Sequence, residues 1–327
     1  MARKLELGIC LFELRSGESQ EIRPWDLLEA AEWADKTGLD YLALPDRVSR
    51  PVPRFDTLTL MAALALRTQR IRMKTHIFVL PLRHPIELAR RIVTVDHLSK
   101  GRFIFVAGLG GGAGKGTPVY VKEYEDVGIP RSERGSRANE ILESLKKLWT
   151  EPSADFSGRH FKFERVVFEP KPFQKPHPPI WIGGNSEAAL RRVARYGNGW
   201  APSLEGTAIT FGSFQNGLKR LRDYMAEYGR PSDPIHVSVC LKVNVNPDVA
   251  AARREAEAFW ESQRGSIEGA KSFDVKEKYG VYGTAHELIE KLYEVKEMGV
   301  NSVILHIHSF NLKTQLGRLE SEVLPRI

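Results

Sequence analysis

An α/β fold, in which parallel strands alternate with helices, is what this sequence predicts, and three observations carry it. The stretch 178–202, PPIWIGGNSEAALRRVARYGNGWAP, reads as strand, turn, helix and strand again. Along the rest of the chain, short apolar or alternating runs give way to segments whose apolar residues recur at helical spacing. With 327 residues, 42% of them hydrophobic, the chain can bury a large core as one domain.

Within 178–202, Ile180, Trp181 and Ile182 form a short apolar run behind Pro178 and Pro179, closed by Gly183 and Gly184, as in a buried parallel strand. Asn185 or Ser186 then caps a helix. Ala188, Ala189, Val193 and Ala194 recur at helical spacing. Arg191, Arg192 and Arg195 form the solvated face, and Gly197 ends the helix. A glycine pair opening a helix presents backbone N–H groups and the positive end of the helix dipole, with no side chain in the way. That combination favours a phosphate, and the competing reading is a tight βα turn in which the glycines serve backbone geometry alone.

The wording of this stretch resembles the bacterial luciferase-like oxidoreductases, which use reduced FMN or the deazaflavin coenzyme F-420. The likeness also takes in LPLRHPIELARRIVTVDHLSKGRF (80–103), ERG (133–135), LKKLW (145–149), GRHFKFERVVFEPKPFQKP (158–176) and YGTAHELIEKLYEVKEMGV (282–300), in the family's order. It implies a TIM (β/α)8 barrel with insertions at its C-terminal face, one domain over 1–327, and a homodimer acting on a small organic substrate. The 158–202 wording looks most like the branch that transfers a hydride between F-420 and substrate. Two alternatives stay open: a monooxygenase using reduced FMN and oxygen, and a flavin binder without turnover.

Composition narrows the partners. Cys10 and Cys240 both lie in strand-like apolar surroundings, which suits reduced core residues better than a disulfide. No signal peptide or run of about 20 apolar residues is present, so a cytoplasmic protein without membrane spans is expected. The net charge of +7 is spread along helix faces and not massed in one tract, which argues for an anionic cofactor over nucleic acid.

In chain order, LELGICLF (5–12) alternates, with Leu5, Leu7, Ile9 and Leu11 on one face and Glu6, Gly8, Cys10 and Phe12 on the other. In a barrel the apolar face meets the helices, and Phe12 ends the strand near the mouth. A helix over 24–37 follows Pro24 and stops at Gly38. The strand LDYLALPD then delivers Asp46 and Arg47 to its C-terminal end, where barrel enzymes keep their chemistry. The family often has Asp-His or Glu-His here, the acid near the flavin and the histidine in substrate chemistry. Arg47 departs from that pattern, and its guanidinium does not exchange protons near neutrality, although it suits an anionic group. Both residues are expected at the surface of the mouth, with an Asp–Arg loop brace as the competing reading.

A helix at 56–68 leads to the strand IRMKTHIFVLP and a helix running from 84 to about 100. The resemblance implies a bulge against the flavin at the third strand's end, and His76 and Ile77 match it. The family usually has a small residue where His76 stands. An imidazole there is the candidate for proton exchange. His84 and His97 read as structural. RFIFVAGLGGGAGKGTP (102–118) ends in a glycine-rich loop that fails the P-loop pattern, since Leu109 stands where the first glycine belongs and Gly116 follows Lys115. Gly108 is expected to let the flavin approach the strand; closure of the loop over substrate is one reading of the glycines, and a disordered loop is the other.

The remaining elements are a helix from Ser132, a two-stranded excursion over 156–170, a loop and helix over 203–234, the strand IHVSVCLKVNVN, and a polar helical insertion over 248–278. In the last strand, SVILHIHS, Val303, Leu305 and Ile307 share one face. Ile304, His306 and His308 share the other and point inward, with His308 nearest the mouth. Two histidines without a nearby third ligand are a weak metal signal, and no metal is expected. The expected cofactor contacts are therefore Asp46, His76, Ile77, Gly108, Gly183, Gly184, Asn185 and Ser186, and the expected catalytic residues are His76, Asp46 and Arg47.

Overall fold

The computed structural model of the chain describes residues 4–11, 24–49, 54–111, 118–203, 211–231, 233–264 and 280–327. Phe12, residues 112–117 of the glycine-rich loop and residues 265–278 of the insertion lie outside them.

The strands are β1 (Glu6–Cys10), β2 (Tyr41–Leu44), β3 (Arg72–Thr75), β4 (Phe78–Val79), β5 (Phe103–Gly108), β6 (Ala154–Ser157), β7 (Lys162–Val166), β8 (Ile180–Gly183), β9 (Gly199–Ala201), β10 (His236–Val245), β11 (Gly280–Gly283) and β12 (Ser302–Ile307). The helices are α1 (Pro24–Lys36), α2 (Thr57–Arg67), α3 (Pro85–Leu98), α4 (Pro118–Asp126), α5 (Arg134–Thr150), α6 (Glu187–Tyr196), α7 (Phe211–Glu227), α8 (Val249–Arg264), α9 (Ala285–Glu297) and α10 (Leu312–Arg318).

Eight parallel strands close in the order β1-β2-β3-β5-β8-β9-β10-β12 and back to β1. This is the expected TIM barrel. β4 continues the line of β3 and pairs with β5, while β11 adds to the outer half of β10, Lys242 to Val245. β6 and β7 form the expected antiparallel excursion. The insertion begins as expected with a helix, α8, next to β11. Among the described residues no helix is long and apolar enough to cross a membrane.

Strand alternation sorts the side chains as the period of two requires. Leu7, Ile9, Leu11, Val303, Leu305 and Ile307 belong to the main core between barrel and helices. Cys10, Tyr41, Ile104, Val106, Trp181 and Ile304 form a second cluster inside the barrel. Helix ends follow local chemistry: Asp56 caps α2, Ser186 caps α6, and Thr284 with Glu287 forms a reciprocal capping box on α9. Gly38, after α1, has φ +86°, a conformation that favours glycine.

The N-terminal end of the barrel is closed by charge. Glu6 accepts hydrogen bonds from the Tyr41 hydroxyl at 2.5 Å and Arg72 at 2.7 Å. Arg102 fastens the loops there, donating to the carbonyls of Ala65, Thr68, Ile71 and Ser99.

Gly8 is where β1 and β2 approach most closely inside the barrel. A Cβ at this position would stand 2.5 Å from both Cβ and the carbonyl oxygen of Tyr41, and 2.8 Å from Ile304 Cδ1. The backbone contact leaves little room to relax. Gly8→Ala is expected to lower unfolding free energy by about 1–3 kcal/mol in urea denaturation, as overpacked cores do; an unchanged midpoint would mean the inner layer is looser than described.

Candidate active site

The regular ladder of the third strand breaks at His76 and Ile77, which are joined by a cis peptide bond. The break lies where the bulge was expected. The Ile77 side chain lies against both Gly108 and Gly183. A Cβ on Gly108 would come within 2.8 Å of Ile77 Cγ2, and one on Gly183 within 2.5 Å of Cδ1. Three strand ends therefore meet on one side chain. At Gly108 the space that a Cβ would take is thus filled by Ile77.

Beyond Gly183 the chain turns at Gly184, whose φ of +114° favours glycine. Trp200 Nε1 donates to the Gly184 carbonyl at 2.8 Å. Asn185 bridges to the next loop, its amide nitrogen donating to the Ser203 carbonyl at 2.6 Å and its amide oxygen accepting from the Ser203 N–H at 2.9 Å. Ser186, not Asn185, is the cap, accepting from the Ala189 N–H at 3.2 Å. The first-turn N–H groups of α6 thus start from a turn fixed on both sides, at the C-terminal end of β8.

Arg192 was expected on the solvated face with Arg191 and Arg195, but it is 7% exposed. It follows the buried Ala189 by three residues and precedes the buried Tyr196 by four, so helical period puts it on the packed face. There its Nε donates to Asn139 Oδ1 at 2.7 Å, tying α6 to α5.

Asp46 was expected at the surface of the mouth and is 2% exposed. Its carboxylate accepts from the Val79 N–H at 2.9 Å, the Thr57 hydroxyl at 3.2 Å and Arg83 at 2.9 and 3.1 Å. Burial pushes its pKa up, while Arg83 and these hydrogen bonds pull it back. An Asp–Arg brace does exist here, but the arginine is Arg83. Arg47 instead faces Glu123 at 3.6 Å and covers the Tyr120 ring at 4.4 Å.

Inside the barrel, below the break, lie basic groups. Lys74 is 1% exposed, donates to Ser238 Oγ at 2.6 Å and sits 4.7 and 4.9 Å from the ring centres of Trp181 and Tyr41. Burial pushes its pKa down to about 7. Lys242 pairs in register with His306 and lies 4.8 Å from the Trp260 ring centre, and burial brings its pKa to about 8. His76, partly open to the mouth, is pushed down to about 3 by desolvation and then by Lys74, and His306 is also held well below the ordinary range. Both rings are neutral across physiological pH.

His306 and His308 point inward as expected. His308 is not open at the mouth, however: it is 1% exposed and packed against Phe259, Trp260 and Tyr282, so α8 and β11 cover it. Among the described residues no three His, Cys, Asp or Glu side chains gather as metal ligands.

The model of the luciferase-like monooxygenase family matches residues 6–305. The chain belongs to that family. Among its relatives, the FMNH2-dependent dimethylsulfone monooxygenase of Pseudomonas putida is 24% identical over 313 residues, covering 86% of this chain and 83% of that one. Among solved structures, monooxygenase RslO1 from Streptomyces bottropensis superposes with a TM-score of 0.82 at 22% identity, covering 98% of this chain and 99% of that one. An F420-dependent secondary alcohol dehydrogenase in complex with an F420-acetone adduct superposes at 0.78 with 19% identity, covering 98% of each. The expected family membership, barrel and oxidoreductase class are therefore met.

Of the expected residues, this luciferase-like barrel brings Ile77, Gly108 and Gly183 into contact, with His76 and the Gly184–Ser186 turn adjoining them in the chain. It sets Asp46 behind them as a brace and Arg47 to one side. Sequence reasoning passed over Arg83 and Lys74 and put Arg192 on the wrong face of α6. For Lys74 a signal existed, since residues two apart on a strand share a face and His76 was already a candidate site residue.

Two outcomes follow from this arrangement. Asp46→Ala leaves the part-buried Arg83 without its carboxylate, and the Val79 N–H and Thr57 hydroxyl without this acceptor, and is expected to cost about 3–5 kcal/mol in chemical denaturation; Arg47→Ala should cost less, because Glu123 keeps its hydrogen bond from the Val48 N–H, and equal losses would refute the brace. The second concerns pH. His76 has its folded pKa below its unfolded value of about 6.5, so the stability it contributes is complete above that pH and is lost as pH falls toward 3. The melting temperature of the wild type should therefore drop more steeply between pH 6.5 and 4 than that of His76→Asn, and parallel slopes would exclude the assignment.

Proposed function

We propose that this enzyme transfers a hydride between coenzyme F-420 and a small organic substrate at the C-terminal mouth of the barrel. The observation that carries the reading is the convergence of β3, β5 and β8 on Ile77. It sets a shaped, partly apolar surface at His76 and Ile77 one residue away from the turn that opens α6. The donor set fits an anionic cofactor: helix N–H groups behind Gly184, the Ser186 cap, and a basic barrel interior. The cofactor, when bound, supplies or accepts the hydride.

This chain's residues then have separate tasks. The start of α6 holds the phosphate, and Ile77, wedged on two glycines, supports the ring. Asp46 and Arg83 fix β4 and so hold the break in shape. His76 offers a neutral imidazole at the mouth, and a nearby anion would favour its protonated form and bring its pKa back toward neutrality. It is thus the proposed proton partner of the substrate. The family resemblance adds a homodimer of single-domain chains in the cytoplasm.

A second reading, a monooxygenase using reduced FMN and oxygen, is favoured by the names of the Pseudomonas and Streptomyces relatives. Anaerobic titration with each cofactor separates the two. Tight binding of F-420, with hydride exchange to an alcohol or ketone, supports the first. Exclusive binding of reduced FMN with substrate-dependent oxygen uptake replaces it by the second.

The phosphate assignment is best tested at Ser186, because any side chain at Gly184 would also strain a positive φ. Asp is as good a helix cap as Ser but repels a phosphate. Ser186→Asp should keep the melting temperature while weakening FMN or F-420 at least tenfold and leaving phosphate-free riboflavin unaffected. In parallel, His76→Gln should preserve cofactor affinity and slow turnover by about a hundredfold. Turnover within a fewfold of wild type would move the proton elsewhere.

A further inference from the structure

Lys74 is a cation in a place that stability does not explain. It is fully buried inside the barrel, and its ammonium has one hydroxyl partner, Ser238, two aromatic faces, Tyr41 and Trp181, and the thiols Cys10 and Cys240 nearby. No carboxylate lies within ion-pair distance of it among the described residues. Glu6, the acid that acts on it from below, is already bonded to Arg72 and Tyr41. An apolar side chain of similar volume would serve the packing at least as well.

Its position suggests what the charge is for. Lys74 precedes His76 by two residues and shares its inward face, so its Cα lies about 7 Å of extended chain below the break. We infer that Lys74 is an electrostatic residue that favours the anionic reduced cofactor over the oxidised form and thereby raises its reduction potential. Adding a hydride to the oxidised ring delivers two electrons and one proton and leaves one negative charge on the ring, with no further reactant. A positive charge beneath the ring-binding surface would stabilise that product relative to the ring before the hydride arrives, which carries one negative charge fewer. The same anion would favour the protonated lysine, whose burial otherwise depresses its pKa.

The inference rests on the ring site proposed above, and its test keeps the two apart. Wild type, Lys74→Gln, Lys74→Met and Lys74→Arg are loaded with F-420 or FMN, and the midpoint potential of the bound cofactor is measured by dye equilibration. The Gln and Met variants should lose at least tenfold in the ratio of reduced to oxidised affinity, a fall of about 30 mV for a two-electron couple. Arg should restore most of it. Gln retains a donor toward Ser238, so it guards against a Met variant that does not fold. A melting temperature that changes while the potential does not would show a purely structural lysine and overturn the inference. On the wild type alone, the absorption spectrum of the bound reduced cofactor should remain that of the anion at a pH where the free cofactor is neutral, and a neutral spectrum there would also overturn it. Failure of the wild type to bind either cofactor would instead remove the ring site, and this inference with it.

Discussion

The mouth of this barrel depends on one buried carboxylate. Asp46 joins the end of β2 to the first residue of α2 through Thr57, to β4 through Val79, and to the approach to α3, two residues before its start, through Arg83. A break in a strand exposes backbone groups that must find partners, and here the Val79 N–H finds one in Asp46. The segment after the break is thus fixed by an ion and not by a continuous ladder. The break can keep a defined shape because its far side is held by this buried set of hydrogen bonds.

Charge is distributed by depth. At the rim, acids meet donors of their own: Glu123 accepts from the Val48 N–H and faces Arg47, and Glu255 accepts from Asn244, Ser309 and the Phe310 N–H. At the opposite end Glu6 is bonded to Arg72 and Tyr41. Between these layers lie Lys74 and Lys242, whose pKa values are depressed by burial, beside neutral histidines. A barrel filled only for stability would place branched apolar side chains in these layers. Departure from that pattern at the site end is where function is expected to outweigh packing.

Much of the fold was legible because it is written locally. The alternation of Leu7 and Ile9 against Glu6 and Cys10, and of Val303 and Leu305 against Ile304 and His306, sorts wall from interior without any partner strand being known. The start of α6 was equally plain from Gly183, Gly184 and the polar pair that follows. What escaped was pairing at a distance. Asp46 and Arg83 are separated by 37 residues and Arg192 and Asn139 by 53, and no local period links either pair. The adjacent Arg47 drew the brace to itself because a neighbour in sequence looks like a neighbour in space. Both residues lie past the end of β2 at Leu44, however, and only Asp46 turns toward α2 and β4.

The break at Ile77 and the turn that opens α6 form one unit. Gly183 links the two: its lack of a side chain admits Ile77 Cδ1, and it is followed by Gly184, whose conformation aims α6. Any shift of Ile77 presses on Gly183 and so on the start of the helix. Trp200, donating to the Gly184 carbonyl, resists that shift from β9, and Asn185 resists it through the loop after β9. A ligand that engages both the break and the turn therefore meets two surfaces whose spacing is already fixed by the backbone. The ordering cost of binding is correspondingly reduced.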